Sequence, residues 1–131
     1  MILIDSSVLI AAEKGDIDLE GRLTSVGPGL IAAVTVSEIL HGVHRANSER
    51  RRAERLQFVE YFLSTFPTLP FDLNVARLHS AVWADLERGG IRIPPHDMII
   101  AATALYYDVA VATRDKRSFP RIPDLDVLVW D

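Results

Sequence analysis

Short apolar runs, each stopped by an acid or followed closely by one, alternate with stretches of helical period along this chain. Residues 2–4 (Ile-Leu-Ile), 30–34 (Leu-Ile-Ala-Ala-Val) and 109–112 (Val-Ala-Val-Ala) are continuous apolar runs of strand length, the pattern of strands buried on both faces of a parallel sheet. Residues 67–70 are too short and proline-bound for more than a brief strand, and 127–129 read as an edge strand. Between these runs the sequence predicts helices. Ser6 or Ser7 caps a short one that stops near Gly15, and residues 16–26 form a weaker one. Thr35 starts a helix ending near Asn47, and Ser48 caps the next, whose Leu56, Val59, Leu63 and Phe66 share a stripe. Asp72 opens a helix closed by Gly89-Gly90, and a last one runs from about Pro94 to about Tyr107. Strands alternating with helices imply one α/β domain over residues 1–131, with a central, mostly parallel sheet flanked by helices on both faces.

Composition narrows the chemistry. A chain of 131 residues, 49% apolar, is long enough for a real core. It has no cysteine, which excludes disulfides, thiolate zinc sites and thiol nucleophiles. No apolar run reaches membrane-spanning length and residues 1–10 lack a basic leader, so a soluble, cytoplasmic protein is expected. The net charge of −4 argues against nucleic-acid binding by an overall basic field. Basic residues are nevertheless clustered. Arg45, Arg50, Arg51, Arg52 and Arg55 read first as a solvated helix face with Glu49, Glu54 and Glu60 as counter-charges, and phosphate contact is the alternative. Arg114, Lys116, Arg117 and Arg121 surround Asp115.

Four acids are the candidate chemistry: Asp5, Glu38, Asp97 and Asp115. Singly, each has a structural reading. Asp5 could simply leave a strand; Thr35-Val36-Ser37-Glu38 matches a capping box; Asp97 suits a helix's first turn; Asp115 suits a turn. Together they fall at strand ends and helix starts, which an open α/β sheet gathers along one edge. Carboxylates gathered there repel one another unless a cation neutralises them, and an all-oxygen set favours Mg²⁺ or Mn²⁺ over zinc. Two other readings fail. Glu38-x-x-His41 is half of a di-iron signature with no second half, and the serines lie in no G-x-S-x-G elbow. His41, His44 and His96 are read as helix-surface residues or supports for the acids.

Residues 1–10 (MILIDSSVLI), 36–43 (VSEILHGV), 90–104 (GIRIPPHDMIIAATA) and Thr113-Arg114-Asp115 with Phe119 resemble, in order and spacing, a PIN-domain ribonuclease, and within that family the VapC toxins of bacterial toxin–antitoxin pairs. The resemblance implies a metal-dependent endoribonuclease in which Asp5, Asp97 and Asp115 bind Mg²⁺ or Mn²⁺ and Glu38 is a ligand or a water-positioning base. Ser6, Thr113 and Arg114, beside these acids, are candidate substrate contacts. One departure concerns Asp115, because many relatives place asparagine there and an acid three residues later, where this chain has Ser118. The resemblance further implies a homodimer, a VapB-like antitoxin that sends a basic side chain into the acid pocket, and a structured RNA substrate such as tRNA. In-line attack of water on a phosphodiester, leaving a 5′-phosphate and a 3′-hydroxyl, is the implied reaction. A PIN nuclease of RNA maturation or quality control is one alternative, and a non-catalytic metal-binding interaction module is another.

Overall fold

The computed structural model describes residues 1–131. Five strands, β1 (Ile2–Ile4), β2 (Gly29–Ala32), β3 (Thr68–Leu69), β4 (Ala110–Thr113) and β5 (Val127–Val129), form one sheet in the order β3-β2-β1-β4-β5. Every pairing is parallel, as the unbroken apolar runs predict. Six α-helices connect them: α1 (Ser6–Glu13), α2 (Leu19–Val26), α3 (Ala33–His44), α4 (Glu49–Thr65), α5 (Leu73–Arg88) and α6 (Pro95–Tyr107). A 3₁₀ turn spans Phe119–Arg121.

Strand residues alternate between two cores. Ile2, Ile4, Ile31 and Ala112 pack with Val8, Leu9, Ile39, Val59 and Phe62 from α1, α3 and α4. Leu3, Leu30, Ala32 and Val111 pack on the other face with Leu86 of α5, Ile100, Ala101 and Ala104 of α6, and Phe119. Burial of strands on both faces explains why their sequence carries no polar alternation. Gly29 shows how close the packing is. A Cβ there would lie 2.6 Å from Ile4 Cδ1 and 2.9 Å from Phe66 Cε1. Gly29→Ala is therefore expected to cost roughly 1–3 kcal/mol by overpacking, read as a lower urea midpoint at unchanged m-value.

The chain leaves β1 toward β2 on one side and returns to β4 on the other, so the C-terminal ends of β1 and β4 border the crevice where strand order reverses. Ile4 is in register with Ala112, which brings Asp5 abreast of Thr113. Ser48 and Asp72 cap α4 and α5 as predicted, accepting the N–H groups of Arg51 and Val75 at 3.1 and 3.0 Å.

Three local expectations are corrected. Asp5, and neither Ser6 nor Ser7, occupies the N-cap position of α1, and its carboxylate makes no capping bond. The helix after β2 starts at Ala33, so Thr35 is its third residue; Ala32 is the cap and no capping box forms. An apolar run of Ala and Val suits either strand or helix, so the sequence did not fix that boundary. Of the stripe predicted for α4, Val59 is buried, Leu63 packs partly buried on the same core and Phe66 is buried just past the helix, whereas Leu56 is exposed and Phe62 takes the remaining core position.

Candidate active site

Asp5 ends β1, buried, with a backbone N–H that donates to Ala112 O at 2.9 Å. Its Oδ2 accepts two hydroxyls, Ser7 Oγ at 2.7 Å and Thr113 Oγ1 at 2.9 Å. Each hydroxyl is used twice. Ser7 Oγ accepts the Arg114 N–H at 3.0 Å, and Thr113 Oγ1 accepts the Asp115 N–H at 2.9 Å. These bonds fasten the end of β1 to the loop after β4. Oδ1 of Asp5 has no such partner.

Asp97 sits in the first turn of α6, behind Pro94 and Pro95, as predicted. Its pKa is pushed up to about 6, first by burial, then by the carboxylates of Asp5 and Asp115 and, more weakly, Glu38; the Ser118 hydroxyl opposes the rise. One group thus feels all three of the other acids. Glu38 lies on α3 and is also raised, first by burial and next by Asp5, against the opposing effects of His96 and Ser6. Its Oε2 is 3.5 Å from His96 Nδ1, while its Oε1 is buried with no hydrogen-bond partner. Burial would raise Asp115 too, but the N–H groups of Arg117 and Ser118, at 2.8 and 3.1 Å from its Oδ1, together with the Ser118 hydroxyl and the Arg117 charge, hold its pKa below the usual range.

The donors fit a hard divalent cation in kind: all are carboxylate oxygens, one buried oxygen of Glu38 lacks a partner, and the charges are mutually repulsive. As they stand, no three acidic or histidine side chains are close enough together to chelate an ion.

The substrate contacts expected from sequence divide. Arg114 is exposed, with only its backbone N–H engaged, and Ser6 faces Glu38. Thr113 is fully buried, so it positions Asp5 and Asp115 instead of touching a ligand. The sequence marks Ser7 only as a possible helix cap and Ser118 only as the residue in place of an acid, and neither as a support for the carboxylates. Thr113→Val keeps the side-chain volume but leaves the Asp115 N–H unbonded and Asp5 with one donor fewer. It is expected to cost about 1–3 kcal/mol in denaturant unfolding, with Thr113→Ser near wild type.

A family model described as PIN domain matches residues 2–125. The chain is 34% identical to a Ribonuclease VapC of Rickettsia bellii over 127 residues, covering 97% of this chain and 94% of that protein. It belongs to the PIN-domain family, in its VapC group. Ribonuclease VapC1 of Rickettsia felis is 35% identical over the same share of each chain. The DNA-bound VapBC structure from Salmonella typhimurium superposes on this PIN domain with a TM-score of 0.87 at 26% identity, covering 99% of this chain and 98% of that one. The four acids of this PIN domain all fall within the matched residues.

Proposed function

We propose that this chain is a metal-dependent endoribonuclease acting as the toxin of a toxin–antitoxin pair. The observation that carries the reading is the electrostatic coupling of Asp97 to Asp5, Asp115 and Glu38 at the strand-order switch, in a chain of the VapC group. Asp5, Asp97 and Asp115 would hold Mg²⁺ or Mn²⁺. When bound, the ion supplies Lewis-acid stabilisation of charge on the phosphoryl group and a more acidic water.

The residues do the rest. Glu38, raised by burial and oriented by His96, takes a proton from the attacking water. The water oxygen attacks phosphorus as the bond to the 3′-oxygen breaks; the 3′-oxygen departs with the electron pair and takes a proton from solvent, giving a 5′-phosphate and a 3′-hydroxyl. Ser7 and Thr113 keep Asp5 from rotating away, and Ser118 supports Asp97 and Asp115. Arg114, exposed beside Asp115, is placed to meet a substrate phosphate.

A structured RNA such as tRNA is the proposed substrate; one relative, from Salmonella typhimurium, is named a tRNA(fMet)-specific endonuclease. A VapB-like antitoxin is the proposed partner, as the VapBC complexes among the structural neighbours suggest. The proposed homodimer and the antitoxin both need apolar surface. The groove of Leu19, Leu23, Phe58 and Tyr61 and the exposed row of Phe71, Leu73 and Trp83 provide it. No helix is long and apolar enough to cross a membrane.

The test is cleavage of total small RNA by antitoxin-free protein with Mg²⁺, Mn²⁺ or EDTA, followed by ligation of the fragments. Metal-dependent fragments bearing ligatable 5′-phosphates are expected, with cleavage weakening as salt rises because phosphate contacts dominate binding. Binding of Mn²⁺ without any cleavage would favour the non-catalytic interaction module.

A further inference from the structure

Beyond the acids, α3 passes to α4 through a tight connection, and a polar cavity of about 310 Å³ opens there. Its lining is Gly42, Arg45, Ala46, Asn47, Arg51 and Arg55: three guanidinium groups and no carboxylate. In a chain of net charge −4 that concentration stands out. A larger cavity of about 530 Å³ shares Gly42, Arg51 and Arg55 with it and also reaches Glu38. The two cavities adjoin along Gly42, Arg51 and Arg55, and the larger, with Leu9, Ile39 and Phe62 in its floor, reaches the proposed base.

The arginines are not explained by local pairing. Arg50, on the outer face of α4, bonds Glu54 at 3.2 Å, and Arg52 donates to Ala46 O at 3.2 Å. Arg45 and Arg51 form no ion pair. Arg55 donates Nη1 to Gly42 O at 2.8 Å, which fixes its guanidinium at the seam of the two cavities while four other N–H donors remain for a ligand. Gly42 is one helical turn from Glu38 and Arg45 almost two, about 6 and 10 Å along the axis. The larger cavity also carries Glu13, Lys14 and Glu54, so the positive charge is concentrated at the end remote from the acids.

We infer that Arg45, Arg51 and Arg55 form an accessory subsite for a backbone phosphate of the substrate RNA, next to but not at the cleaved bond. Guanidinium forks suit phosphate oxygens, and continuity with the groove that reaches Glu38 favours the substrate itself over a separate ligand. Such contacts hold the strand and carry no base information. This rests on the endoribonuclease reading.

The test uses full-length protein carrying Asp97→Asn, so that RNA is bound but not cut, with bulk tRNA as the probe. R45Q/R51Q is expected to raise Kd about tenfold or more near physiological salt, and to lower the slope of log Kd against log salt by about 0.7, for one lost phosphate contact. R45K/R51K should restore the salt slope and part of the affinity, since lysine returns the charge without the fork, R50Q should change neither quantity, and melting temperatures should stay equal. With Asp97 restored, R45Q/R51Q should raise KM and leave kcat within about twofold. Equal Kd and slope for wild type and R45Q/R51Q, or an equal loss in R50Q, would overturn the subsite. So would unchanged tRNA binding with lost binding of a poly-glutamate peptide, which would assign the cavity to an acidic protein segment. If the parent protein neither binds nor cuts RNA, the endoribonuclease reading fails and the subsite with it.

Discussion

Asp97→Asn is expected to abolish RNA cleavage, by at least about 100-fold, while making the metal-free protein more stable. The two effects have one cause. In the folded chain Asp97 titrates near 6, against an ordinary value of 3.8, because it is half-buried among Asp5, Asp115 and Glu38. The folded state therefore holds this proton more tightly than the unfolded chain does. The resulting stabilisation is fully present below about pH 3.8 and is lost as pH rises through about 6, so at pH 7.5 the ionised carboxylate strains the metal-free fold. Asparagine does not titrate. With a solvent-screening discount for a half-exposed group, the gain at pH 7.5 in EDTA is roughly 1 kcal/mol, or about 3–5 °C in Tm. The gap should close near pH 4. A variant that lost activity and stability together at pH 7.5 would make Asp97 a structural residue.

Glu38→Gln is expected to cost about 100-fold or more in kcat with folding intact. Glutamine could still have served the capping box read from Thr35-Val36-Ser37-Glu38, but α3 begins two residues before Thr35 and that box does not exist. What glutamine removes is the charge on a carboxylate whose buried Oε1 has no partner and whose pKa burial has raised. The melting temperature in EDTA should hold or rise, since an unpaired buried charge is lost. Single-turnover rates with saturating RNA separate this from weakened binding. Retention of full activity would remove Glu38 from the proton-transfer role.

Three of the four acids were legible because each of Asp5, Asp97 and Asp115 stands at a punctuation mark that local chemistry sets: the end of an apolar run, or the first turn behind two prolines. Parallel strands with helices on both faces then bring those marks to one edge. Glu38 was picked out by the sequence with the wrong local reason beside it, since the Ala-Ala-Val-Thr run suits the end of a strand as well as the start of a helix. The hydroxyls were not legible. Thr113 and Asp5 are 108 residues apart, and their bond exists only because Ile4 pairs with Ala112; no local pattern encodes that register. Ser118 was noticed only as a missing acid, while its hydroxyl supports the carboxylates of Asp97 and Asp115. The arginines from Arg45 to Arg55 read first as one solvated face, and the fold divides them, leaving Arg50 paired outside and Arg45, Arg51 and Arg55 around a cavity.

The central claim is that four carboxylates act as one site completed by a divalent cation. Its most direct measurement is the melting temperature of antitoxin-free wild type and Asp97→Asn at pH 7.5, titrated with Mn²⁺ from an EDTA-treated start. The wild type is expected to begin lower and rise saturably with Mn²⁺ as the ion relieves the repulsion, and the variant to begin higher and respond weakly. Identical curves, or no response to Mn²⁺ by the wild type, would contradict it.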